Sequence, residues 1–214
     1  TSTICRRLCR PVRCCLAYGP ARCTEPYSDQ SLNFLDPEGV VTHLGCRFDV
    51  RLPGLSLIRT AAPGERRFYY YRDQAAVRQM FTTGGDGIGS TLEAYDWLYL
   101  TGVTLSVLQA GNQIDTLIEV LAKARAQGGR VAFDTNYRPA GWDSTESARA
   151  VFRNILDHVD VALVTLEDEQ ALYGDDDESS CARRLHAAGV SEVVVKLGAG
   201  GWCVSAHRGQ RHIP

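Results

Sequence analysis

Val131–Trp142, reading VAFDTNYRPAGW, is the stretch that decides how this chain folds. Val131, Ala132 and Phe133 form a short apolar run just after the polar turn Gln127-Gly128-Gly129-Arg130. Placed between two helical patterns, such a run reads as a buried strand of a parallel sheet. It ends in Asp134, Asn136 and Arg138, polar residues at alternate positions, and Pro139 forbids its continuation. Ligands of open α/β sheets bind at the carboxyl ends of the strands. An acid, an amide and a guanidinium placed there point to a polar, anionic ligand. A second reading fits the same residues: Asp134 and Asn136 cap the following helix and Arg138 pairs with a surface carboxylate. These residues alone leave both open.

The totals exclude several classes. A net charge of −2 over 214 residues gives no global field for nucleic acid or a membrane surface. No uninterrupted apolar stretch has the length of a membrane span, and no signal-type segment opens the chain, which predicts a soluble cytoplasmic protein. Lys123 and Lys196 are the two lysines among the 23 basic residues. Arginine is therefore a background residue here, and Lys196 stands out. Of the 8 cysteines, Cys5, Cys9, Cys14, Cys15 and Cys23 crowd the start, at spacings that match no zinc or disulfide framework.

Residues 1–25 are Arg- and Cys-rich, are broken by Pro11 and Pro20, and show no periodicity. They read either as a disordered basic arm or as a product of a shifted reading frame. A helix is expected from Tyr27, capped by Ser28, with Leu32 and Leu35 on one face and Pro37 and Gly39 ending it. Leu55–Thr60 and Arg67–Arg72 are two β-prone runs joined as a hairpin. Alternation along the second puts Phe68, Tyr70 and Arg72 on one face and Tyr69 and Tyr71 on the other. Tyrosines beside an arginine suit a hydroxylated carboxylate ligand, although an ordinary aromatic strand also fits.

After a Gly-rich loop at Thr82–Gly89, strands and helices alternate. Strands are expected at Trp97–Leu100, Val131–Phe133, Val161–Val164, Val193–Leu197 and Trp202–Ser205. Helices are expected at Ile114–Ala126, from the Ser144 cap through Ile155, at Asp168–Tyr173 and at Cys181–Ala188. Asp175–Glu178 reads as a solvated acidic loop. The alternation predicts an α/β fold with a parallel sheet covered on both faces. Lys196-Leu197-Gly198-Ala199-Gly200-Gly201 ends a strand in a loop poor in side chains, where backbone amides could approach a nucleotide. It lacks the spacing of a Walker loop, and a hairpin turn explains it equally well.

Four ordered stretches carry a resemblance: Gly54–Ile58, Gly64–Arg72, Asp134–Pro139 with Trp142, and Val194–Gly201. Together they resemble the PfkB, or ribokinase-like, carbohydrate kinases, most of all the branch that phosphorylates 2-keto-3-deoxygluconate. The resemblance runs from about Pro26 to the end of the chain. It implies a three-layer α/β/α core with a small β-sheet lid at about 46–72, incomplete at both ends, and a partial kinase domain over 26–214 behind the atypical segment 1–25.

The implied roles follow. Tyr70, Tyr71 and Arg72 of the lid, with Arg138, contact the sugar acid. Asn136, Tyr137, Arg138, Lys196, Leu197, Gly198, Ala199, Gly200 and Gly201 border ATP. Asp168, with Thr165, stands at the family's Asn-x-x-Glu positions and helps to hold Mg²⁺. ATP and Mg²⁺ are the implied cofactors, and a homodimer is the implied assembly. The chemistry is in-line phosphoryl transfer to a sugar hydroxyl.

Some family features do not appear in these residues. The Gly-Ala-Gly-Asp segment that supplies the anion hole and the catalytic base is absent, no Gly-Gly-Asp-type sugar motif is found before Tyr27, and Ser56 stands where a tyrosine is usual. The resemblance therefore implies a chain that is inactive as a kinase. A non-catalytic sugar-acid or nucleotide-binding remnant, or a kinase for another sugar, are the alternatives.

Overall fold

The computed structural model describes residues 22–23, 26–35, 37, 39–40, 47–48, 51, 54–60, 66–82, 87–207 and 209–214. Most of the Arg/Cys-rich segment and the hairpin loop 61–65 lie outside them. The chain divides into two compact units, Thr1–Thr91 and Leu92–Pro214.

In the first unit, the two-residue strand β1 (Arg22–Cys23) pairs in parallel with β2 (Arg47–Phe48). Between them, α1 (Pro26–Leu35) starts at Pro26, whose fixed φ suits a first helical turn. Ser28 is thus inside the helix and is not its cap. Strands β3 (Leu55–Thr60) and β4 (Arg66–Tyr71) form the expected antiparallel hairpin, with Leu55 opposite Tyr71 and Ile58 opposite Phe68. Arg72 falls just beyond the strand. Leu55, Leu57, Tyr69 and Tyr71 are exposed on a common face of this ribbon. The short helix α2 (Ile88–Leu92), whose last residue begins the second unit, takes Ile88 and Gly89 out of the expected loop.

In the second unit, β5 (Trp97–Thr101) leads directly into α3 (Gly102–Val107), a helix with no counterpart in the sequence reading. Its signal was present: Thr101 caps it, and Thr104 returns the bond in a capping box. Next come α4 (Gln113–Ala126), β6 (Arg130–Asp134), α5 (Thr145–Leu156), β7 (Val161–Thr165), α6 (Leu166–Tyr173) and α7 (Glu178–Ala187). The unit closes with β8 (Glu192–Lys196), β9 (Trp202–Ala206) and β10 (Gly209–Ile213). Boundaries fall within a few residues of expectation. Ser144 caps α5 with the aid of Ser147, and Gly174 ends α6 at φ 73°.

The six strands lie in the order β10-β9-β8-β7-β6-β5. Strands β5 to β8 pair in parallel, and β9 and β10 return antiparallel. Side-chain alternation divides the sheet cleanly. Leu98, Leu100, Val131, Phe133, Ala162, Val164, Val193 and Val195 are buried on one face. Phe152 of α5 packs edge-on against Phe133, with centroids 5.5 Å apart, and against Trp142 at 5.2 Å. The opposite face carries Trp97, Tyr99 and Trp202, all exposed.

Asp175–Glu178 is only in part the solvated loop its composition suggests: Asp176 and Asp177 are exposed, but Asp175 and Glu178 are placed otherwise. Asp175 is 8% exposed and ion-paired with Arg184. Asp177 caps α7 through the Ser180 amide, and Glu178 is the first residue of that helix. The acids are placed where a helix N-terminus and a guanidinium stabilise negative charge.

Candidate active site

The strand register brings the polar residues together. Asp134 ends β6 opposite Leu163 of β7, Leu163 pairs with Val194 of β8, and Lys196 lies two residues farther along β8. Asp134 and Lys196 therefore share a face with β7 between them. Lys196 spans β7, its Nζ 3.0 Å from Oδ1 and 2.9 Å from Oδ2 of Asp134. Tyr99 of β5 is on the same face, and its hydroxyl is 3.4 Å from Asp134 Oδ2. Partial burial and the adjacent Asp134 carboxylate push the Tyr99 phenol up to about 12.

After Asp134 the backbone turns sharply. Asn136 has φ 32° and donates its N–H to Asp134 Oδ1 at 3.2 Å. The Tyr137 N–H donates to Asp168 Oδ2 of α6 at 3.0 Å, and the Tyr137 ring is buried. Arg138 donates to the Tyr137 carbonyl at 2.8 Å. Burial holds the Asp168 carboxyl above its usual range. The Tyr137 N–H, Arg138 and Lys196 oppose that shift, and Asp134 adds to it. Asp134, Arg138 and Lys196 thus all act electrostatically on Asp168 at the carboxyl edge. Asp134 and Asn136 do not cap the next helix, because Ser144 does.

The glycine turn follows Lys196 at once. Residues Gly198–Gly200 make one 3-10 turn, and the amides of Leu197, Gly200 and Gly201 bond to carbonyls within the turn. Gly201 has φ 81°, and a Cβ there would lie 2.1 Å from the Ile213 carbonyl oxygen, so this position requires glycine. Leu197, Gly198, Ala199, Gly200 and Gly201 consequently leave β8 beside Lys196.

Behind the edge lies a buried charged group that the sequence reading missed. Thr135 donates to Glu169 Oε1 at 2.5 Å. Glu169 Oε2 is 2.5 Å from Arg184, which is also 2.6 Å from Asp175 and lies over the Tyr173 ring at 3.9 Å. Glu169 and Asp175, with Cys181, are the three potential metal ligands that cluster among the described residues. Arg184 already neutralises the carboxylates, and burial pushes the Cys181 thiol up, away from the thiolate a metal needs. No local pattern announces this group, because its members come from α6, α7, the loop between them and the turn after β6.

Of the residues singled out from sequence, Asn136, Tyr137, Arg138, Asp168, Thr165 and Lys196–Gly201 all belong to this edge of the second unit. Tyr70, Tyr71 and Arg72 belong to the first unit, where Tyr71 is exposed and Arg72 half-buried. Tyr99, Thr135 and Glu169 are additions made by the structure.

The pfkB family carbohydrate kinase model matches residues 24–214. The chain belongs to that family. It is 41% identical over 189 residues to the 2-dehydro-3-deoxygluconokinase of Dickeya dadantii, covering 88% of this chain and 61% of that protein. It is 39% identical over 206 residues to the Escherichia coli K12 protein of the same name, covering 96% and 66%. The chain thus spans somewhat less than two thirds of the length of these curated relatives. Among solved structures, a PfkB protein from Polaromonas sp. JS666 superposes with a TM-score of 0.85 at 22% identity, over 99% of this chain and 70% of that one. The 2-dehydro-3-deoxygluconokinase of Thermotoga maritima superposes with a TM-score of 0.78 at 20% identity, over 91% and 63%. These superpositions establish the ribokinase-like α/β fold. Among the described residues, no helix is long and apolar enough to cross a membrane.

Proposed function

We propose that this chain belongs to a kinase that transfers a phosphoryl group from ATP to a hydroxyl of 2-dehydro-3-deoxygluconate. The observation that carries the reading is the meeting of Arg138, Asp134 and Lys196 around Asp168 at the carboxyl edge, with Lys196 bonded to Asp134. Relatives 41% and 39% identical that bear this activity's name support it.

The chemistry of each group fits its assignment. Lys196 is a point charge suited to a phosphate, and the glycine turn beside it lets a nucleotide approach the backbone. Asn136, Tyr137 and Arg138 border the nucleotide from the β6 side. Arg138 also has the planar fork that recognises a carboxylate. In the first unit, Tyr70 and Tyr71 supply hydroxyl donors and acceptors, and Arg72 a guanidinium, for a hydroxylated acid. Asp168 offers the hard oxygen ligand that Mg²⁺ takes together with phosphate oxygens. When bound, Mg²⁺ neutralises charge on the transferring phosphate. The catalytic base is assigned to none of these residues, because the Gly-Ala-Gly-Asp segment does not occur among them. The same reading carries a cytoplasmic setting and a homodimer, and sedimentation of the purified chain tests the dimer.

Calorimetric titration with Mg·ADP and with 2-dehydro-3-deoxygluconate, followed by an ATP-turnover assay, tests the proposal. Binding of both ligands is expected. Binding of neither, or a preference for fructose over the sugar acid, would overturn it. Binding of both without turnover would make this chain a binding module built on the kinase fold.

A further inference from the structure

Among the described residues, Asn136 is the one non-glycine residue with positive φ. Such a conformation persists only where the surroundings hold it, and here they do so from both sides. On the N-terminal side, Thr135 is 3% exposed and donates its hydroxyl to Glu169, itself 1% exposed, at 2.5 Å. On the C-terminal side, Tyr137 donates its N–H to Asp168 at 3.0 Å. Asp168 and Glu169 are consecutive residues of α6. Successive helical side chains diverge by about 100°, so one acid reaches the buried Thr135 and the other the half-buried turn. Glu169 is itself fixed, because its second carboxylate oxygen is held by Arg184, and Arg184 is held by Asp175.

We propose that Asp168 and Glu169 are positioning residues. Together they clamp the turn on either side of Asn136 and hold it left-handed. The clamp fixes where the Asn136 amide and the Arg138 guanidinium stand relative to a nucleotide's phosphates. This use of the clamp rests on the nucleotide reading above, whereas the clamp itself rests on geometry. Asp168 then has a task in the protein before any metal arrives. Glu169 acts through Thr135 and touches no ligand.

The test is amide hydrogen exchange of Asn136 and Tyr137, followed by NMR, with Mg·ADP affinity measured on the same proteins. Thr135→Val is informative because it removes neither amide's acceptor, Asp134 or Asp168. In T135V both amides are expected to exchange about tenfold faster through local opening, while the strand amides of β6 stay protected. Mg·ADP affinity should fall by about tenfold as the turn wanders. Thr135→Ser, which keeps the hydroxyl, should restore both.

Unchanged exchange in T135V would overturn the clamp. Faster exchange with unchanged affinity would overturn the positioning role. Should T135V fail to fold, Asp168→Ala, at a half-buried side chain, carries the same test at the Asn136 amide, whose acceptor it leaves intact. A wild-type chain that binds no nucleotide would overturn the functional reading and the positioning role with it, and exchange would still decide the clamp.

Discussion

A Cβ on Gly102 would stand 2.0 Å from the carbonyl oxygen of Thr135 and 3.0 Å from the Phe152 ring. The start of α3 therefore lies flush against the turn that follows β6. Backbone cannot give way as the tip of a flexible side chain can. Gly102→Ala is expected to destabilise the protein by about 3 kcal/mol through overpacking, measured by urea denaturation. A loss within the usual surface range, about 0.5 kcal/mol, would show that the turn moves freely.

Arg184 neutralises two carboxylates, Glu169 and Asp175, that are 1% and 8% exposed. Arg184→Met leaves both without their cation and should cost about 3–5 kcal/mol, as for a broken buried pair. Adding Glu169→Gln and Asp175→Asn to R184M should recover part of the loss, because fewer unpaired charges then remain buried. If R184M is as stable as the wild type, the network contributes nothing.

Asp168 has its carboxyl raised above the ordinary 3.8 by burial. A raised acid binds its proton more tightly in the folded state, so its contribution is fully present below the ordinary value. That contribution is lost as pH rises through the raised value. Asp168→Asn removes the titration and keeps an acceptor for the Tyr137 amide. The stability of the wild type relative to D168N should therefore fall as pH rises from about 3, then level off. Denaturant titrations across that range measure it, and a difference that grows with pH would contradict the burial argument.

Lys196 and Asp134 should respond in opposite directions to nucleotide. Lys196→Met removes the proposed phosphate partner and should weaken Mg·ADP binding by about tenfold or more, the effect of losing a charged hydrogen bond. Asp134→Asn keeps an acceptor for the Asn136 amide but releases Lys196 from its carboxylate, so binding should tighten several-fold. Calorimetry of both variants checks the pair. Equal weakening would mean that Asp134 orients Lys196 and does not compete for it.

Phe152 touches both Phe133 and Trp142 and is 1% exposed. Phe152→Ala should cost about 3–5 kcal/mol and shift the Trp142 emission as its ring contact is lost. Thermal denaturation followed by fluorescence reads both effects.

Much of the second unit was legible from the chain itself. Val131–Phe133 and Val193–Val195 announce buried strands by apolar runs of strand length, and Ser144 and Gly174 mark a helix start and a helix end by their own backbone preferences. These are signals carried by neighbours in sequence. Asp175 was misread because composition cannot distinguish an acid facing water, as Asp176 does, from one facing Arg184, nine positions farther on. The helix Gly102–Val107 was missed because a threonine capping box and a glycine resemble the end of a strand when periodicity alone is followed.

The sequence by itself determined the α/β alternation, the strand ends that carry Asp134, Asn136, Arg138 and Lys196, and the family to which these stretches belong. Each of those depends on residue types at short spacing, which period and local propensity encode directly. Only the tertiary structure decided that Lys196 crosses β7 to Asp134, that Thr135 is held by Glu169, and that Arg184 closes the group from α7. Those pairings join positions separated by 62, 34 and 15 residues. Strand register and helix packing select such partners, and no local pattern in the chain records them.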